Sequence, residues 1–207
     1  MTDFNRKVHW ENIYITKPLE EASWYQPKPA TSLQILQELD ISTDARIIDV
    51  GGGDSLLVDH LLDLGFNNLT ILDISAKSIE RAKARLGARA QKINWIVSDI
   101  LDFEPGQKFD FWHDRAAFHF LTDKNEIDQY IKIASKSMSK IGKTLIATFS
   151  EEGPRKCSGI EIKQYTIAGM EETFSPYFKK ILCVTHDHKT PSQHVQNFIF
   201  CAFEKIK

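Results

Sequence analysis

A short apolar run that ends in three consecutive glycines constrains this chain more than any other feature. Ile47, Ile48 and Val50 indicate a buried strand, which the glycines Gly51–Gly53 end. Leucines at helical spacing begin at Leu56, so we expect a helix directly after the glycines. A strand, a glycine turn and a helix bring backbone N–H groups close to a nucleotide-like ligand, and a Cβ on these residues would obstruct that approach.

The spacing of these glycines differs from the fingerprint of dinucleotide-binding proteins. That fingerprint would place a third glycine at position 56, where this chain has Leu56. Instead, Asp49 stands two positions before Gly51, and the small residue Ser55 follows Gly53 by two positions. The pattern therefore argues against an NAD(P)-dependent oxidoreductase, which remains an alternative.

The composition is that of a folded globular protein without a strongly charged partner. The 207 residues include 26 Lys and Arg against 28 Asp and Glu, which gives a net charge of −2. We therefore expect neither a nucleic-acid nor a membrane partner. We also expect the protein to be a monomer or a weak dimer. The three cysteines lack Cys-x-x-Cys spacing, so we interpret them as free thiols of a cytoplasmic protein and expect no metal site.

Strand-like and helix-like stretches alternate along most of the chain. Strands are predicted at 47–50, 69–72, 93–97, 109–112 and 143–149, and Gly142 is expected to end the helix before the last of them. This alternation predicts a parallel sheet with helices on both faces. Two further strands, near 180–186 and 196–204, are separated by a turn too short for a crossover helix and must be antiparallel. We predict an α/β fold with a Rossmann-like seven-stranded sheet that ends in this antiparallel hairpin.

The first 32 residues differ from the rest because they combine aromatic residues with Pro18, Pro27 and Pro29. They are too aromatic for a disordered tail and too interrupted for a long helix. The aromatic residues are Trp10, Tyr14, Trp24 and Tyr25. They either pack this segment onto the domain or cover a ligand pocket, where aromatic faces would attract a cation. We divide the chain into an N-terminal aromatic arm or lid, 1–32, and a single domain, 33–207.

Two aspartates follow predicted strands on the ligand side of the sheet. Asp73 ends the second strand about 20 residues beyond the glycines, where an acidic residue accepts hydrogen bonds from ribose hydroxyls. Asp99 follows the third strand, where a carboxylate can accept from an exocyclic amine of a base, although an ordinary loop aspartate also fits this position. Together they extend the candidate site from the glycine turn across two neighbouring strands.

Four charged or titratable residues stand among aromatic residues just past the fourth strand: His113, Asp114, Arg115 and His119. Ligands bind at this edge of open α/β sheets. His113 or His119 is a candidate general base, with Asp114 as its orienting group and Arg115 as the anchor for an acidic substrate. In the alternative interpretation, Asp114 and Arg115 pair with each other and brace the end of the strand.

With these features in place, the chain resembles class I methyltransferases that use S-adenosylmethionine (SAM), and in particular a small bacterial group. The motifs that carry the resemblance are His9-Trp10 with Tyr14, Ser23-Trp24-Tyr25-Gln26, Trp112-His113-Asp114-Arg115 with Phe118-His119-Phe120, and Lys156-Cys157-Ser158-Gly159. An aromatic arm on the same core also occurs in eukaryotic protein-lysine methyltransferases, so the acceptor is a small molecule or a protein. The Asn-Pro-Pro-Tyr type of motif is absent after the fourth strand, which disfavours methylation of DNA or RNA adenine.

The resemblance implies methyl transfer from SAM to an unidentified acceptor and assigns roles by position. The implied cofactor site comprises Tyr25, Asp49, Gly51, Gly53, Asp73, Ile74, Asp99 and Ile100. The implied substrate contacts are Trp24, Arg115 and Tyr165, and the catalytic candidates are His113, Asp114 and His119. A non-catalytic SAM-binding or regulatory module is the main alternative, and the charged edge after the fourth strand argues against it.

Overall fold

The computed structural model describes residues 4–206. Residues 1–3 of the expected arm and residue 207 of the expected domain lie outside the described residues. The helices are α1 Arg6–Thr16, α2 Ala30–Glu38, α3 Leu57–Asp63, α4 Ala76–Leu86, α5 Lys124–Ser137 and α6 Ile167–Phe174. The strands are β1 Ile47–Val50, β2 Leu69–Asp73, β3 Ile93–Val97, β4 Phe109–Arg115, β5 Met138–Phe149, β6 Lys156–Cys157, β7 Ile160–Glu161, β8 Phe178–Lys189 and β9 Val195–Lys205.

Seven of these strands form one sheet in the order β3-β2-β1-β4-β5-β9-β8. The first five are parallel to one another, whereas β9 pairs antiparallel with both β5 and β8. The predicted seven-stranded Rossmann-like sheet with an antiparallel C-terminal pair is thus confirmed. The strand order reverses between β1 and β4, and a ligand crevice is expected at the carboxyl ends of these two strands.

Helices cover both faces of the sheet, and this burial explains the continuous apolar runs of the central strands. Every residue of β1 and β2 is buried. On one face the core includes Ile35 of α2 and Leu61 of α3, and on the other it includes Tyr130 of α5 and Phe174 of α6. Full burial of a side chain of this size contributes about 1.5–3 kcal/mol, so the two layers hold the carboxyl ends of the strands in fixed positions.

Two local predictions differ from the structure. Gly142 does not end the helix before β5, because α5 already ends at Ser137 and Met138 is extended and pairs with Phe109 of β4. The arm contains an eleven-residue helix, α1, that begins after the N-cap Asn5 and ends before Pro18. The prolines of the arm all follow this helix, so they do not interrupt it. The predicted boundary after residue 32 falls within α2, and the division into arm and domain remains a prediction.

The interpretation of all three cysteines as free thiols is wrong for two of them. Cys183 of β8 and Cys201 of β9 face each other across the antiparallel pair and form a disulfide, while Cys157 is free and buried. The cysteines therefore no longer support the expected cytoplasmic location, which stays a prediction. Among the helices formed by residues 4–206, none combines the length and the apolar character needed to cross a lipid bilayer.

Candidate functional site

A cavity opens at the carboxyl ends of β1 to β4, beneath the N-terminal arm. Its sheet side is formed by the ends of the strands and the loops that follow them: Val50, Gly51, Leu72, Asp73, Ile74, Ser98, Asp99, Ile100, Arg115, Ala116, Ala117, Phe120 and Leu121. The arm contributes Arg6, Trp10, Tyr14 and Trp24, and the short strand β6 contributes Cys157. The cavity thus lies where the strand order reverses, as the topology requires for a ligand site.

The glycine turn brings the backbone close to this cavity. Gly51 has a φ of 68°, a conformation that glycine adopts without strain, and its N–H donates to the carbonyl of Leu72 at 2.7 Å. A Cβ at this position would lie 2.7 Å from the Cβ of Ala117. Any side chain here would therefore strain the turn and collide with the loop after β4.

Asp73 lies on the cavity wall with unused hydrogen-bonding capacity. One carboxylate oxygen accepts from the N–H of Gly53 at 3.0 Å, and the other accepts from the N–H of Ser75 at 2.8 Å. Burial raises the pKa of Asp73 to about 6, although hydrogen bonds from Ser75, Ser78 and Gly53 oppose this effect. Because a carboxylate offers roughly four acceptor positions, the same group can accept further hydrogen bonds from a ligand.

The far end of the cavity is formed by Ile74 after β2 and by Asp99 and Ile100 after β3. The Oδ1 atom of Asp99 accepts from the N–H of Leu101 at 3.0 Å. Its Oδ2 atom lies 4.0 Å from Nη1 of Arg6, which also pairs with Glu126. This end is therefore lined by two isoleucines and one carboxylate, next to a cation from the arm.

Aromatic rings from the arm close the cavity opposite the sheet. The rings of Trp10 and Trp24 meet edge to face with centroids 5.9 Å apart, and Trp10 makes a similar contact with Phe120 at 5.0 Å. Tyr14 lies 6.0 Å from Trp24 and is almost fully buried. Of the four aromatic residues predicted to cover a pocket, three line this cavity, and Tyr25 lines a neighbouring one.

The arm is attached to the helix that follows Asp73. Both carboxylate oxygens of Glu11 accept hydrogen bonds from the start of α4: from the hydroxyl of Ser75 at 2.9 Å and from the N–H groups of Ala76 at 2.8 Å and Lys77 at 3.0 Å. A carboxylate at this end of a helix also interacts favourably with the helix dipole. The arm is thus held at the edge of the cavity by a charged contact.

A second, smaller pocket lies on the other side of the glycine turn. It is lined by Tyr25, Asp49, Gly52 and His113, among others, and shares Tyr14, Trp24, Gly51 and Arg115 with the first cavity. His113 is 4% exposed and joins two hydrogen bonds: Nδ1 to Oδ1 of Asp49 at 2.6 Å and Nε2 to the hydroxyl of Ser32 at 2.9 Å. Asp49 also lines this pocket, and its second oxygen, Oδ2, has no hydrogen-bond partner in the described part of the chain.

Four of the predicted site residues line neither cavity. One is Gly53, which is buried and whose N–H donates to Asp73, and the other three lie in the protein interior. Asp114 accepts from the N–H groups of Ala117 and Phe118, both at 3.0 Å, and from the Tyr130 hydroxyl at 2.7 Å. Burial raises the pKa of Asp114 to about 6, and its bonds to these three donors act against that shift. Asp114 thus fixes the loop after β4, and it does not pair with Arg115.

The other two interior residues are His119 and Tyr165. His119 is fully buried beside Phe149 and Phe120, and both of its ring nitrogens lack a partner among the described residues. Burial, together with the charge of Arg115, lowers the pKa of His119 to about 3. Tyr165 stacks on Phe118 with centroids 5.5 Å apart. The predicted roles of these residues remain predictions, but the geometry does not favour contact with a substrate.

Arg115, the predicted substrate anchor, borders both cavities. Its Nη1 atom donates to the carbonyl of Trp24 at 3.0 Å, and its guanidinium lies 4.8 Å from the centre of the Phe198 ring. The next residue, Ala116, has a φ of 66°, which costs energy for a residue with a Cβ. The end of β4 is thus bent where the arginine enters the site.

Sequence reasoning missed two residues that hold this site together, Ser32 and Glu11. Ser32 gives no signal, since it lies 81 residues before His113 in the chain. For Glu11 a weak signal exists: the first turn of α4 has no acidic residue of its own, so a carboxylate from elsewhere can occupy the helix start. Within residues 4–206, no group of three or more His, Cys, Asp or Glu side chains is arranged to hold a metal ion.

Comparison with known proteins narrows the functions that this fold allows. Residues 47–142 match a protein-family model described as a methyltransferase domain. This segment, just under half of the chain, is similar to a methyltransferase domain. The matched segment includes the glycine turn, Asp73, Asp99 and the strand that leads to Arg115, so the match covers the sheet side of the cavity.

Curated proteins that are similar to this chain have different acceptors in their names. The chain is 24% identical over 231 residues to the eEF1A lysine and N-terminal methyltransferase of Mus musculus, which covers 99% of this chain and 32% of that protein. It is 28% identical over 121 residues to malonyl-[acyl-carrier protein] O-methyltransferase 2 of Ilyobacter polytropus, which covers 56% of this chain and 46% of that protein. The chain therefore spans about a third of the length of the first relative and less than half of the length of the second.

A solved methyltransferase structure shares the fold of the whole chain. The N-methyltransferase NodS from Bradyrhizobium japonicum, solved in complex with S-adenosyl-L-homocysteine (SAH), superimposes with a TM-score of 0.73 at 14% sequence identity. The superposition covers 98% of this chain and 100% of the NodS chain. At this identity the likeness establishes the common architecture, including the C-terminal antiparallel strands outside the matched family segment.

Proposed function

We propose that this chain is a SAM-dependent methyltransferase acting on a small-molecule or protein acceptor. The observation that carries the proposal is the cavity at the carboxyl ends of β1 to β4, which combines the Gly51 turn, the carboxylate of Asp73 and a wall of aromatic rings. The methyltransferase-domain match over this part of the chain supports it. So do the relatives named as methyltransferases and the SAH bound in NodS.

The residues of the cavity fit an adenosyl group. Asp73 has acceptor capacity left after its bonds to Gly53 and Ser75, and the two hydroxyls of a ribose are donors that would use it. The end of the cavity lined by Ile74 and Ile100 offers apolar surface to a flat base, and Asp99 beside it can accept a hydrogen bond from an amino group of that base. Gly51 lets the turn pack closely against Ala117 at the edge of the cavity, where a Cβ would lie 2.7 Å from the Ala117 Cβ.

When bound, SAM supplies a methyl group carried on a positively charged sulfur. Trp10, Tyr14 and Trp24 present aromatic rings to the cavity, and aromatic faces attract positive charge. The same rings close the cavity on the side of the arm and thereby exclude water from the reacting groups. Alignment of two reactants in such a site accounts for several kcal/mol of a reaction barrier.

A general base is required only where the acceptor nucleophile arrives protonated. Of the three catalytic candidates, His113 alone lines a cavity, whereas Asp114 and His119 are enclosed by the core. Both ring nitrogens of His113 are engaged, one with Asp49 and one with Ser32. We therefore assign His113 a positioning role: it holds Asp49 in place beside the glycine turn.

We further propose that the enzyme is cytoplasmic, has neither a nucleic-acid nor a membrane partner, and is present as a monomer or a weak dimer. The net charge of −2 supports the expected absence of a nucleic-acid or membrane partner. Light scattering on a sizing column measures the oligomeric state directly.

The test of this function is turnover in the presence of labelled cofactor. The chain is incubated with SAM carrying a labelled methyl group and with separate pools of small metabolites and proteins, and SAH formation is followed by mass spectrometry. We expect acceptor-dependent SAH formation that Asp73→Asn reduces at least tenfold. SAH binding without turnover on any pool would instead indicate a non-catalytic module, and stabilisation by NAD(P) but not by SAH would indicate an oxidoreductase.

A further inference from the structure

Two side chains of opposite charge line the smaller pocket, and each has buried polar atoms without a hydrogen-bond partner. On Arg115, Nη1 donates to the carbonyl of Trp24, whereas Nε and Nη2 are buried and have no acceptor within residues 4–206. On Asp49, Oδ1 contacts Nδ1 of His113, whereas Oδ2 is buried and has no donor in the same range. Both side chains line this pocket together with the glycine turn. The pocket therefore combines two unused donors with one unused acceptor.

The two charges are close enough to influence each other but do not touch. Burial lowers the pKa of Arg115 to about 10, and the charge of Asp49 acts in the opposite direction, as does Cys157. Although the structure describes both side chains, no oxygen of Asp49 lies within 4.0 Å of a nitrogen of Arg115, so they form no ion pair. A buried charge without a contacting partner is costly. A ligand that carries both charges on neighbouring atoms could pair with the two side chains at once.

The unpaired edge of Arg115 matches a carboxylate. Nε and Nη2 lie on the same edge of the planar guanidinium, and arginine binds both oxygens of a carboxylate through parallel hydrogen bonds from such a pair. The rest of the group is held in place: Nη1 donates to Trp24 of the arm, and the guanidinium lies 4.8 Å from the centre of the Phe198 ring. The arginine is therefore oriented before an anion arrives.

Asp49 is held in a similar way beside the glycine turn. His113 contacts Oδ1 at 2.6 Å, and Ser32 contacts the other ring nitrogen of His113 at 2.9 Å. Oδ2 lies against Gly52, where a Cβ would collide with it. An ammonium group has three N–H donors and no acceptor, so it matches a carboxylate oxygen that has no donor of its own. Asp49 can therefore bind a cation while His113 holds its other oxygen.

The residues that the two cavities share connect this pocket to the adenosyl end of the site. Tyr14, Trp24, Gly51 and Arg115 line both cavities, whereas Asp73 lines only the larger one. With a ribose at Asp73, the sulfur of SAM is expected near the shared residues, and its amino-acid end is expected to continue into the smaller pocket. That end carries an ammonium and a carboxylate on one carbon atom. These are the two groups that the polar atoms of the smaller pocket can bind.

We propose, on the basis of the proposed methyl transfer, that Arg115 and Asp49 together bind the amino-acid end of SAM, the arginine its carboxylate and the aspartate its ammonium. Arg115, which the sequence predicts to anchor the acceptor, then determines cofactor specificity. The chain discriminates against a cofactor without the carboxylate, because Nε and Nη2 of Arg115 would stay unpaired. An acceptor with a carboxylate is the competing source of the anion, and a binding experiment without any acceptor separates the two.

The test compares three ligands by calorimetry in the absence of any acceptor. SAH carries both charged groups, S-adenosyl-3-thiopropylamine lacks the carboxylate, and S-adenosyl-4-thiobutyrate lacks the amino group. Each ligand is titrated into wild type, Arg115→Met and Asp49→Asn, and urea unfolding verifies that the variants are folded. Arg46→Met is the matched control, since Arg46 pairs with Asp110 at the opposite end of the parallel strands.

The expected result is that wild type binds SAH at least tenfold more tightly than either analogue. Arg115→Met weakens SAH and the thiobutyrate at least tenfold but leaves the thiopropylamine unchanged. Asp49→Asn shows the reverse pattern, weakening SAH and the thiopropylamine but not the thiobutyrate. Arg46→Met leaves all three affinities intact. The wild-type comparison of the three ligands decides the matter even where a variant fails to fold.

Three results would overturn the inference while leaving the proposed function in place. Wild type could bind SAH and the thiopropylamine equally, so that the carboxylate contributes nothing. Arg115→Met could weaken all three ligands to the same degree, which would indicate a purely structural role. It could also bind SAH as wild type does, which would leave the arginine to an acceptor. Failure of wild type to bind SAH at all would instead refute the proposed function, and this inference with it.

Discussion

The Nδ1 atom of His113 lies 2.6 Å from Oδ1 of Asp49, next to the glycine turn, and Ser32 holds the other side of the imidazole ring. We expect His113→Ala to lower the free energy of unfolding by about 1–3 kcal/mol or more, because a buried carboxylate loses its partner. Ser32→Ala, which removes one neutral hydroxyl, should cost only about 0.5–1.5 kcal/mol. Urea unfolding of both variants measures the difference, and equal losses would show that the Asp49 contact contributes nothing.

Gly51 and Gly65 form a matched pair for testing the turn. Both have positive φ values, 68° and 88°, but a Cβ at Gly51 meets Ala117, whereas a Cβ at Gly65 meets nothing within 4 Å. Each Gly→Ala substitution should destabilise the chain by about 1–2 kcal/mol through backbone strain. Only Gly51→Ala should also weaken SAH binding, measured by calorimetry. Equal SAH affinities in the two variants would argue that the ligand does not approach the turn.

Glu11 attaches the arm to the start of α4, so its removal should loosen the cover of the cavity. We expect Glu11→Gln to lower stability by about 1 kcal/mol, since a charge at a helix N-terminus is lost, and to speed SAH release several-fold. Stopped-flow tryptophan fluorescence reports the release because Trp10 and Trp24 line the cavity. The control is Glu21→Gln, an exposed position in the same arm. If Glu11→Gln releases SAH at the wild-type rate, the arm does not limit exit.

His119 should make the chain less stable in mild acid. Its pKa falls from 6.5 to about 3 on folding, so below pH 6.5 the unfolded chain binds one more proton than the folded chain. Stability from this residue is complete above pH 6.5 and decreases as the pH falls, by about 2 kcal/mol at pH 5. Other titrating groups, including Asp114, change the unfolding free energy with pH by the same amount in wild type and in a His119 variant. Their effect therefore cancels when the two proteins are compared.

The measurement is the loss of unfolding free energy between pH 7 and pH 5 in wild type, His119→Phe and His119→Gln. Both variants remove the titration, although they differ in packing, so both should show a loss smaller by about 2 kcal/mol. If both variants lose as much unfolding free energy between pH 7 and pH 5 as wild type does, His119 does not stay neutral in the folded state.

The part of the fold that could be predicted is the part that local sequence encodes. The apolar run before Gly51 and the aspartate that ends β2 each signal their structure within a few residues. The turn between β8 and β9 is too short for a helix, which settles their antiparallel pairing. Met138 shows the limit of this reasoning. It continues the helical spacing of apolar residues in α5, but it belongs to β5 because it pairs with Phe109 of β4.

The contacts that define the site could not be predicted, because they join distant segments. His113 meets Asp49 across 64 residues, and Arg115 meets the carbonyl of Trp24 across 91. Such distances depend on strand order and on where the arm lies. The disulfide depends in the same way on the register of β8 and β9, since a one-residue slip would turn Cys183 to the other face of the sheet.

The central claim is that the cavity holds an adenosyl group whose ribose binds Asp73. Calorimetric titration of SAH into wild type and Asp73→Asn, with urea unfolding to verify that the variant is folded, tests it most directly. The account predicts that SAH binds wild type and binds the folded variant at least tenfold more weakly, a difference of about 1.4 kcal/mol. Absence of binding to wild type, or equal affinity in the two folded proteins, would contradict it.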